Sequence, residues 1–332
     1  MGDPPARGWL PISISSDWEP VLMARGTVRW MELGDRPLSE PFLEQTYDVL
    51  RAAMPVTREV DTSFEALERF AESVPPVQPA GFIFHISRCG STLIANALKT
   101  AAGVAVFSEP HQFARLLWPG LQDGAGYGRT QWQSRQEALA RAMGSLFAHY
   151  RGGTPERVVI KFPSISTLAI EEIRRIWPDV PCLLVIREPI EVIVASMIGG
   201  IWLDLKQDEA AARRLLGWDG AALSNEDFCA RLLRQYFQKM MGAHDTGCAV
   251  VDYRSLSPAT MVAIARFFDI AMPDDPAALT RVFGGYSKAA QPGLPFQNDS
   301  AAKQWRATPE VRLAAIRWAM KDYFALREMA AI

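Results

Sequence analysis

Apolar residues in this chain come in two patterns. Short continuous runs occur at Phe82-Ile83-Phe84, Val104-Ala105-Val106-Phe107, Val158-Val159-Ile160, Leu183-Leu184-Val185-Ile186 and Ala249-Val250-Val251. Each is too brief for a helix and rich in β-branched or aromatic side chains, which predicts buried strands. Between the runs, apolar residues recur every third or fourth position and predict helices over 93–99, 133–150, 166–177, 225–242, 261–268 and 309–326. Pro178 closes the third of these. Strands alternating with helices predict a parallel, doubly wound sheet, an α/β fold with helices against its faces. Residues 1–75 read differently. Trp9, Trp18 and Trp30 recur there, and helices are expected over 42–53 and 64–74. Pro75-Pro76-Val77-Gln78-Pro79-Ala80-Gly81 reads as a linker. It divides the chain into a small tryptophan-containing N-terminal module, 1–75, and an α/β domain, 76–332. The glycine-rich stretch Gly120 to Thr130 reads as a mobile loop.

Composition narrows the function classes. The chain has 332 residues, 49% of them hydrophobic and 22% charged, which suits a soluble globular protein with one large domain and an added module. The formal net charge of −2 gives no general basic field, so nucleic acid is not an expected partner. The four cysteines, Cys89, Cys182, Cys229 and Cys248, form no C-x-x-C pair, and the four histidines are scattered. No metal site is expected, and reduced thiols in a cytoplasmic protein fit best. The first residues lack a signal peptide's apolar core, and no apolar run approaches the roughly 18 residues that span a bilayer, so no membrane anchor is expected.

The candidate chemistry lies just past the strands. Ligands of parallel α/β sheets sit at the carboxyl ends of the strands, and Arg88, Glu109, Lys161 and Arg187 all follow predicted strands closely. Between the first strand and its helix runs Ser87-Arg88-Cys89-Gly90-Ser91-Thr92. Such a strand, small-residue loop and helix form an anion cradle: first-turn N–H groups lack partners and carry the positive end of the helix dipole. Gly90 would let the backbone approach the ligand, Ser91 and Thr92 would cap the helix and donate hydroxyls, and Arg88 would add a forked cation. The loop is not a Walker A motif, because Ser91 stands where that motif needs lysine, which disfavours an ordinary ATPase or kinase.

Two stretches together carry a family resemblance. The loop from Arg88 to Thr92 resembles the 5′-phosphosulfate loop of sulfotransferases, with Cys89 where the family usually has Ser or Thr. The stretch Cys182 to Ser196, a buried strand ending in Arg187-Glu188-Pro189, resembles the family's 3′-phosphate segment. The resemblance implies a P-loop-type three-layer α/β/α fold. It also implies the donor 3′-phosphoadenosine 5′-phosphosulfate (PAPS), with adenosine 3′,5′-bisphosphate (PAP) as product and no metal. On this reading Arg88, Cys89, Gly90, Ser91 and Thr92 hold the phosphosulfate and Arg187 the 3′-phosphate. The family's serine follows the arginine by eight positions, where this chain has Ala195, so Ser196 would have to stand in. Glu109, 21 positions after Arg88, and Lys161, 26 positions before Arg187, match the spacing of the catalytic glutamate and lysine of tyrosylprotein sulfotransferases. The cytosolic small-molecule enzymes use a histidine base instead, which makes His111 the rival of Glu109. Lys288 lies in a polar, Gly/Pro-rich stretch from Gly284 to Gln304 that could close over the nucleotide.

The expected activity is therefore PAPS-dependent sulfuryl transfer to a hydroxyl or amine of a small-molecule, saccharide or peptide acceptor, with a homodimer allowed. Two alternatives stay open at this point: a P-loop kinase-like enzyme, and a non-catalytic nucleotide-binding protein of the same fold. Retention of Glu109 and Lys161 beside both phosphate grips counts against the second, since a mere binder needs no base.

Overall fold

The computed structural model describes residues 7–15, 26–53, 58–117, 129–151, 156–198, 200–218, 220, 222–245, 247–273, 275–285, 287–288, 295, 298–330 and 332. Trp18 and most of the Gly120 to Thr130 stretch lie outside these residues.

The N-terminal part contains a sheet that the sequence pattern does not announce. Strands β1 (Trp9–Ser15), β2 (Thr27–Glu32) and β3 (Glu59–Ser63) form an antiparallel sheet in that order. The pairing of β1 with β2 slips between Pro11 and Ser13, which breaks the alternation that marks a regular strand. Helix α1 (Leu43–Ala53) precedes β3, and α2 (Phe64–Ser73) follows it. Trp9 and Trp30 are core residues, and Trp30 Nε1 donates to Thr62 Oγ1 at 2.8 Å.

The larger sheet contains β4 (Gly81–His85), β5 (Val104–Ser108), β6 (Arg157–Lys161), β7 (Cys182–Ile186) and β8 (Cys248–Asp252), all parallel, in the order β5-β6-β4-β7-β8. Every residue of β4, β7 and β8 is buried, so both faces of the sheet are covered and near-continuous apolar runs result. This is the α/β/α arrangement expected of the alternating pattern. From β4 the chain visits β5 and β6 on one side, then crosses to β7 and β8 on the other. The carboxyl end of β4 is thus the topological switch point, where open parallel sheets bind ligands.

The connecting helices that matter for the site are α3 (Ser91–Leu98) after β4, α4 (His111–Leu117) after β5 and α5 (Arg129–His149) before β6. A 3₁₀ turn, Ser164–Ala169, leads into α6 (Ile170–Ile176), so the helix read over 166–177 is composite. Next comes α7 (Pro189–Met197), which begins just past β7, then α8 (Ile201–Gln207), α9 (Glu209–Leu216) and α10 (Asn225–Ala243) before β8. The remaining helices are α11 (Pro258–Phe267), α12 (Pro276–Gly284), α13 (Ser300–Arg306), α14 (Pro309–Trp318) and α15 (Met320–Glu328). The single helix read over 309–326 is two, because Ala319 (φ −119°, ψ −28°) interrupts it.

The stretch read as a linker is tied down. His149 Nε2 lies 3.0 Å from the Pro75 carbonyl, and the Val77 N–H donates to Ser145 Oγ at 3.2 Å. The antiparallel sheet meets α4 through Gln112, whose Nε2 donates to the Ile12 carbonyl and to Glu44 Oε1. Among the described residues no helix is long and apolar enough to cross a membrane.

Candidate active site

The loop after β4 is held in an uncommon backbone form. Ser87, Arg88 and Gly90 all have positive φ, at 68°, 53° and 84°. A Cβ on Gly90 would come within 2.6 Å of Leu256 Cδ1 and 2.9 Å of Tyr253 Cδ2. The glycine is thus required by its own φ and by packing on the 253–256 turn. Gly90 also occupies the position before α3, so Ser91 and Thr92 fall inside the first turn. Neither caps the helix, contrary to the sequence reading, because the capping position falls one residue earlier. Cys89 is fully buried, and burial pushes its thiol up, which makes it a packing residue rather than a reactive one. Arg88 is exposed at the mouth of the loop.

On the β6 side of the loop stands a buried charge cluster. Lys161, fully buried at the end of β6, forms an ion pair with Glu109 and lies 5.1 Å above the Phe42 ring. Glu109 follows β5 with φ +55°, and its N–H donates to the Lys161 carbonyl at 2.7 Å. Burial is the largest influence on the Glu109 carboxyl and raises its pKa. The Lys161 charge, aided by the nearby His85 ring, more than offsets it and holds the group well below the usual carboxylate range.

His85, the last residue of β4, is a member of the site that no sequence motif singles out. Its Nδ1 accepts the Ser87 N–H at 3.0 Å, which leaves the proton on Nε2, 3.5 Å from Glu109 Oε1. Burial, then the Lys161 charge, lowers its pKa to about 4, so the ring is neutral near pH 7.

Lys288 joins the same field. Burial, then the Arg88 and Lys161 charges, lowers its pKa to about 8. Its neighbour Ser287 accepts Asn96 Nδ2 at 2.8 Å, which fixes this turn against α3. His111 is exposed on the first residue of α4, within electrostatic reach of Glu44. The fold thus places Glu109, and not His111, in contact with Lys161 and His85.

On the β7 side Arg187 is buried in a dense network. Its Nε donates to Glu191 Oε2 at 2.7 Å and its Nη1 to the Arg88 carbonyl at 3.0 Å. Its Nη2 donates to Asp299 Oδ1 at 2.9 Å and Ser300 Oγ at 3.1 Å, and the guanidinium stacks 3.9 Å from the Tyr253 ring centre. Lys303 Nζ lies 2.8 Å from Asp299 Oδ2. Asp299 and Ser300 are partners the sequence reading did not find. Ser196 is buried, and its hydroxyl donates to the Val192 carbonyl of its own helix at 2.9 Å. Ala195, one helical turn after Glu191, occupies the face of α7 that the arginine uses.

A cavity of about 720 Å³ lies along the outer side of β5, between Leu38 to Pro41, Asn96 and Lys99 of α3, and Ser287. It is lined also by Gly103 and by Val104 to Val106, the opening half of β5, whereas Glu109 follows the carboxyl end of that strand. Among the described residues no group of three or more His, Cys, Asp or Glu side chains is placed to hold a metal ion.

No protein-family model matches the chain. No curated protein matches it either. Among solved structures it is similar to a sulfotransferase from Alicyclobacillus acidocaldarius, at 12% identity over 76% of this chain and 95% of that one, with a TM-score of 0.45. It is similar also to the sulfotransferase domain from the curacin biosynthetic pathway (13% identity, 73% and 98% covered, TM-score 0.43). A third is the sulfotransferase domain from the Synechococcus PCC 7002 olefin synthase (14%, 74% and 95%, TM-score 0.38). These are distant likenesses, and the functional reading rests on the side chains described above.

Proposed function

We propose that the protein is a sulfotransferase that takes a sulfuryl group from PAPS and passes it to a hydroxyl or amine of an acceptor, leaving PAP. The observation that carries this reading is the meeting of three parts at the carboxyl end of β4. They are an anion loop without a Walker lysine, a base-and-cation pair on the β6 side (Glu109 and Lys161), and a buried arginine on the β7 side that reaches the loop's own backbone. A donor with phosphate at both ends needs a grip on each side of that loop. Arg88, the first-turn amides of α3 and the Ser91 and Thr92 hydroxyls would take the phosphosulfate end, and Arg187 the 3′-phosphate.

In the transfer the acceptor atom forms a bond to sulfur as the bond from sulfur to the bisphosphate oxygen breaks, the bonding pair leaving with PAP. The chain's part is to place charge and remove a proton. Glu109 is the base that takes the acceptor proton. While it is paired with Lys161 its pKa is too low for that task. When Lys161 turns its charge toward the sulfuryl oxygens, the largest influence opposing burial on Glu109 is withdrawn, its pKa rises and the carboxylate becomes a more competent base. His85 Nε2–H orients it. Lys288 adds positive charge over the same point. The acceptor approaches Glu109 from the β5 side, since the nucleotide extends toward β7. The likeness to tyrosylprotein sulfotransferases bears on the spacing of Glu109 and Lys161 alone and names no acceptor. The four free cysteines, all buried, suit a protein of the reducing cytoplasm.

Thermal shift with PAP, ATP and GTP tests the donor. PAP at a hundredfold excess over Kd is expected to stabilise the protein by about 2.7 kcal/mol, with far smaller effects of ATP and GTP. Equal shifts from PAP and ATP would overturn the reading.

A further inference from the structure

The contacts of Arg187 single out Asp299. This residue stands at the position before α13, where an aspartate ordinarily accepts an N–H of the helix's first turn, yet its side chain makes no such bond. Asn298 Oδ1 instead accepts the Ser300 N–H at 3.0 Å. Both Asp299 oxygens are engaged elsewhere, Oδ1 with Arg187 Nη2 at 2.9 Å and Oδ2 with Lys303 Nζ at 2.8 Å. Ser300 Oγ completes the arrangement, accepting from Arg187 Nη2 and donating to Glu191 Oε2 at 2.9 Å. An anion is thus held between two cations and beside a hydroxyl, which is the environment a phosphate requires.

From this geometry we infer that the Asp299 carboxylate is a built-in placeholder for the 3′-phosphate, and that by competing with it the carboxylate lowers the site's affinity for nucleotides carrying one. The inference rests on the donor reading above. Arg187, Lys303 and the more distant Arg254 bring the positive charges and Glu191 and Asp299 the negative ones, so each carboxylate already has a cation and each of Arg187 and Lys303 a carboxylate. A ligand without a 3′-phosphate has nothing to offer Arg187 and Lys303 in exchange, and Asp299 stays. A phosphate of about −1.5 to −2 charge replaces the carboxylate and holds both cations more strongly. Asp299 is placed to yield: its side chain is 52% exposed, whereas that of Arg187 is 5% exposed. The far end of α13 stays attached meanwhile, because Gln304 Nε2 donates to Glu188 Oε2 at 2.9 Å. Asp299 therefore tempers the site's discrimination for a 3′-phosphate by competing with the ligand group it resembles.

Calorimetric titration of the whole chain with PAP and with 5′-AMP tests this. Asp299→Asn keeps the shape and removes the charge, and Asp299→Ala removes both; Asn298 still caps α13 in each. Both variants are expected to bind PAP about tenfold or more tightly than the unaltered protein, and 5′-AMP within about twofold of it, since only the 3′-phosphate competes with the carboxylate. PAP binding that is unchanged or weaker in both variants, with 5′-AMP still bound, overturns the placeholder and leaves the donor reading intact. If the unaltered protein and the variants all fail to bind PAP, the donor reading falls and takes the placeholder with it.

Discussion

Lys161 and Arg187 are buried cations one strand away from β4 on opposite sides, and their surroundings differ in kind. Lys161 has one carboxylate partner, Glu109, and the face of an aromatic ring. Arg187 is fixed by Glu191, Asp299, Ser300, the Arg88 carbonyl and the Tyr253 ring. A flexible ammonium with one partner can swing to a new charge, whereas a planar guanidinium held on every edge cannot. The first arrangement suits the side where charge moves during a reaction, the second the side that must hold register. The β6 side should thus govern turnover and the β7 side binding and stability.

Removing one charge on each side, Glu109 by β6 and Arg187 by β7, breaks the comparison most directly. Glu109→Gln is expected to lower single-turnover transfer by about 10²–10⁴-fold while leaving the PAP dissociation constant nearly unchanged. A variant that transfers at the unaltered rate would remove Glu109 from the base role. Arg187→Ala should do the reverse. It leaves the buried Glu191 with only the distant Arg254, at 4.0 Å, and denaturant unfolding should show a loss of about 3–5 kcal/mol together with loss of the preference for PAP over 5′-AMP. A variant of normal stability that still prefers PAP would mean that Arg187 is not the anchor.

His85 gives a pH signature confined to the β6 side. Its folded pKa of about 4 lies below the ordinary value of 6.5, so between these limits the unfolded chain binds the proton that the folded one refuses. Stability then rises with pH across that window, by about 3 kcal/mol in total. Unfolding titrations of His85→Asn should lack this slope, and a slope that persists would assign it to another group. The smallest effects are expected at His111 and Ser196. His111→Ala should keep transfer within about threefold, because the ring contacts neither Lys161 nor His85. Ser196→Ala should change stability by about 1 kcal/mol or less, since its hydroxyl only doubles up on a helical carbonyl.

The parts legible in the sequence are those where local pattern and final structure agree. Strands buried on both faces, such as Phe82 to Phe84 and Leu183 to Ile186, read as plain apolar runs, and the charged residues just beyond them fell on one edge of the sheet as that topology requires. The antiparallel sheet escaped because its strands do not repeat cleanly. β1 is shifted at Pro11, and β3 is polar, with Thr62 its one buried residue. The partners of Arg187 escaped for another reason: Asp299 lies 112 positions away, and no spacing rule links residues joined only by the fold. His85 was hidden by position, since a histidine closing an apolar run looks like the end of a strand. Its contact with Glu109 spans from β4 to the end of β5, with β6 between them.

Four described residues other than glycine have positive φ: Ser87, Arg88, Glu109 and Asp269. The first three surround the proposed transfer point. A left-handed backbone costs a side-chain-bearing residue roughly 1–2 kcal/mol, and glycine adopts it freely. Random mutagenesis scored only by survival of heating should therefore favour glycine at 87 and 88. Its best survivors would melt later and have lost the arginine at the mouth of the loop. At 109 the same exchange strands a buried lysine, so heat selection should leave that glutamate alone. A library sorted in this way would be remodelled at the lip of the site while its floor stayed as it is.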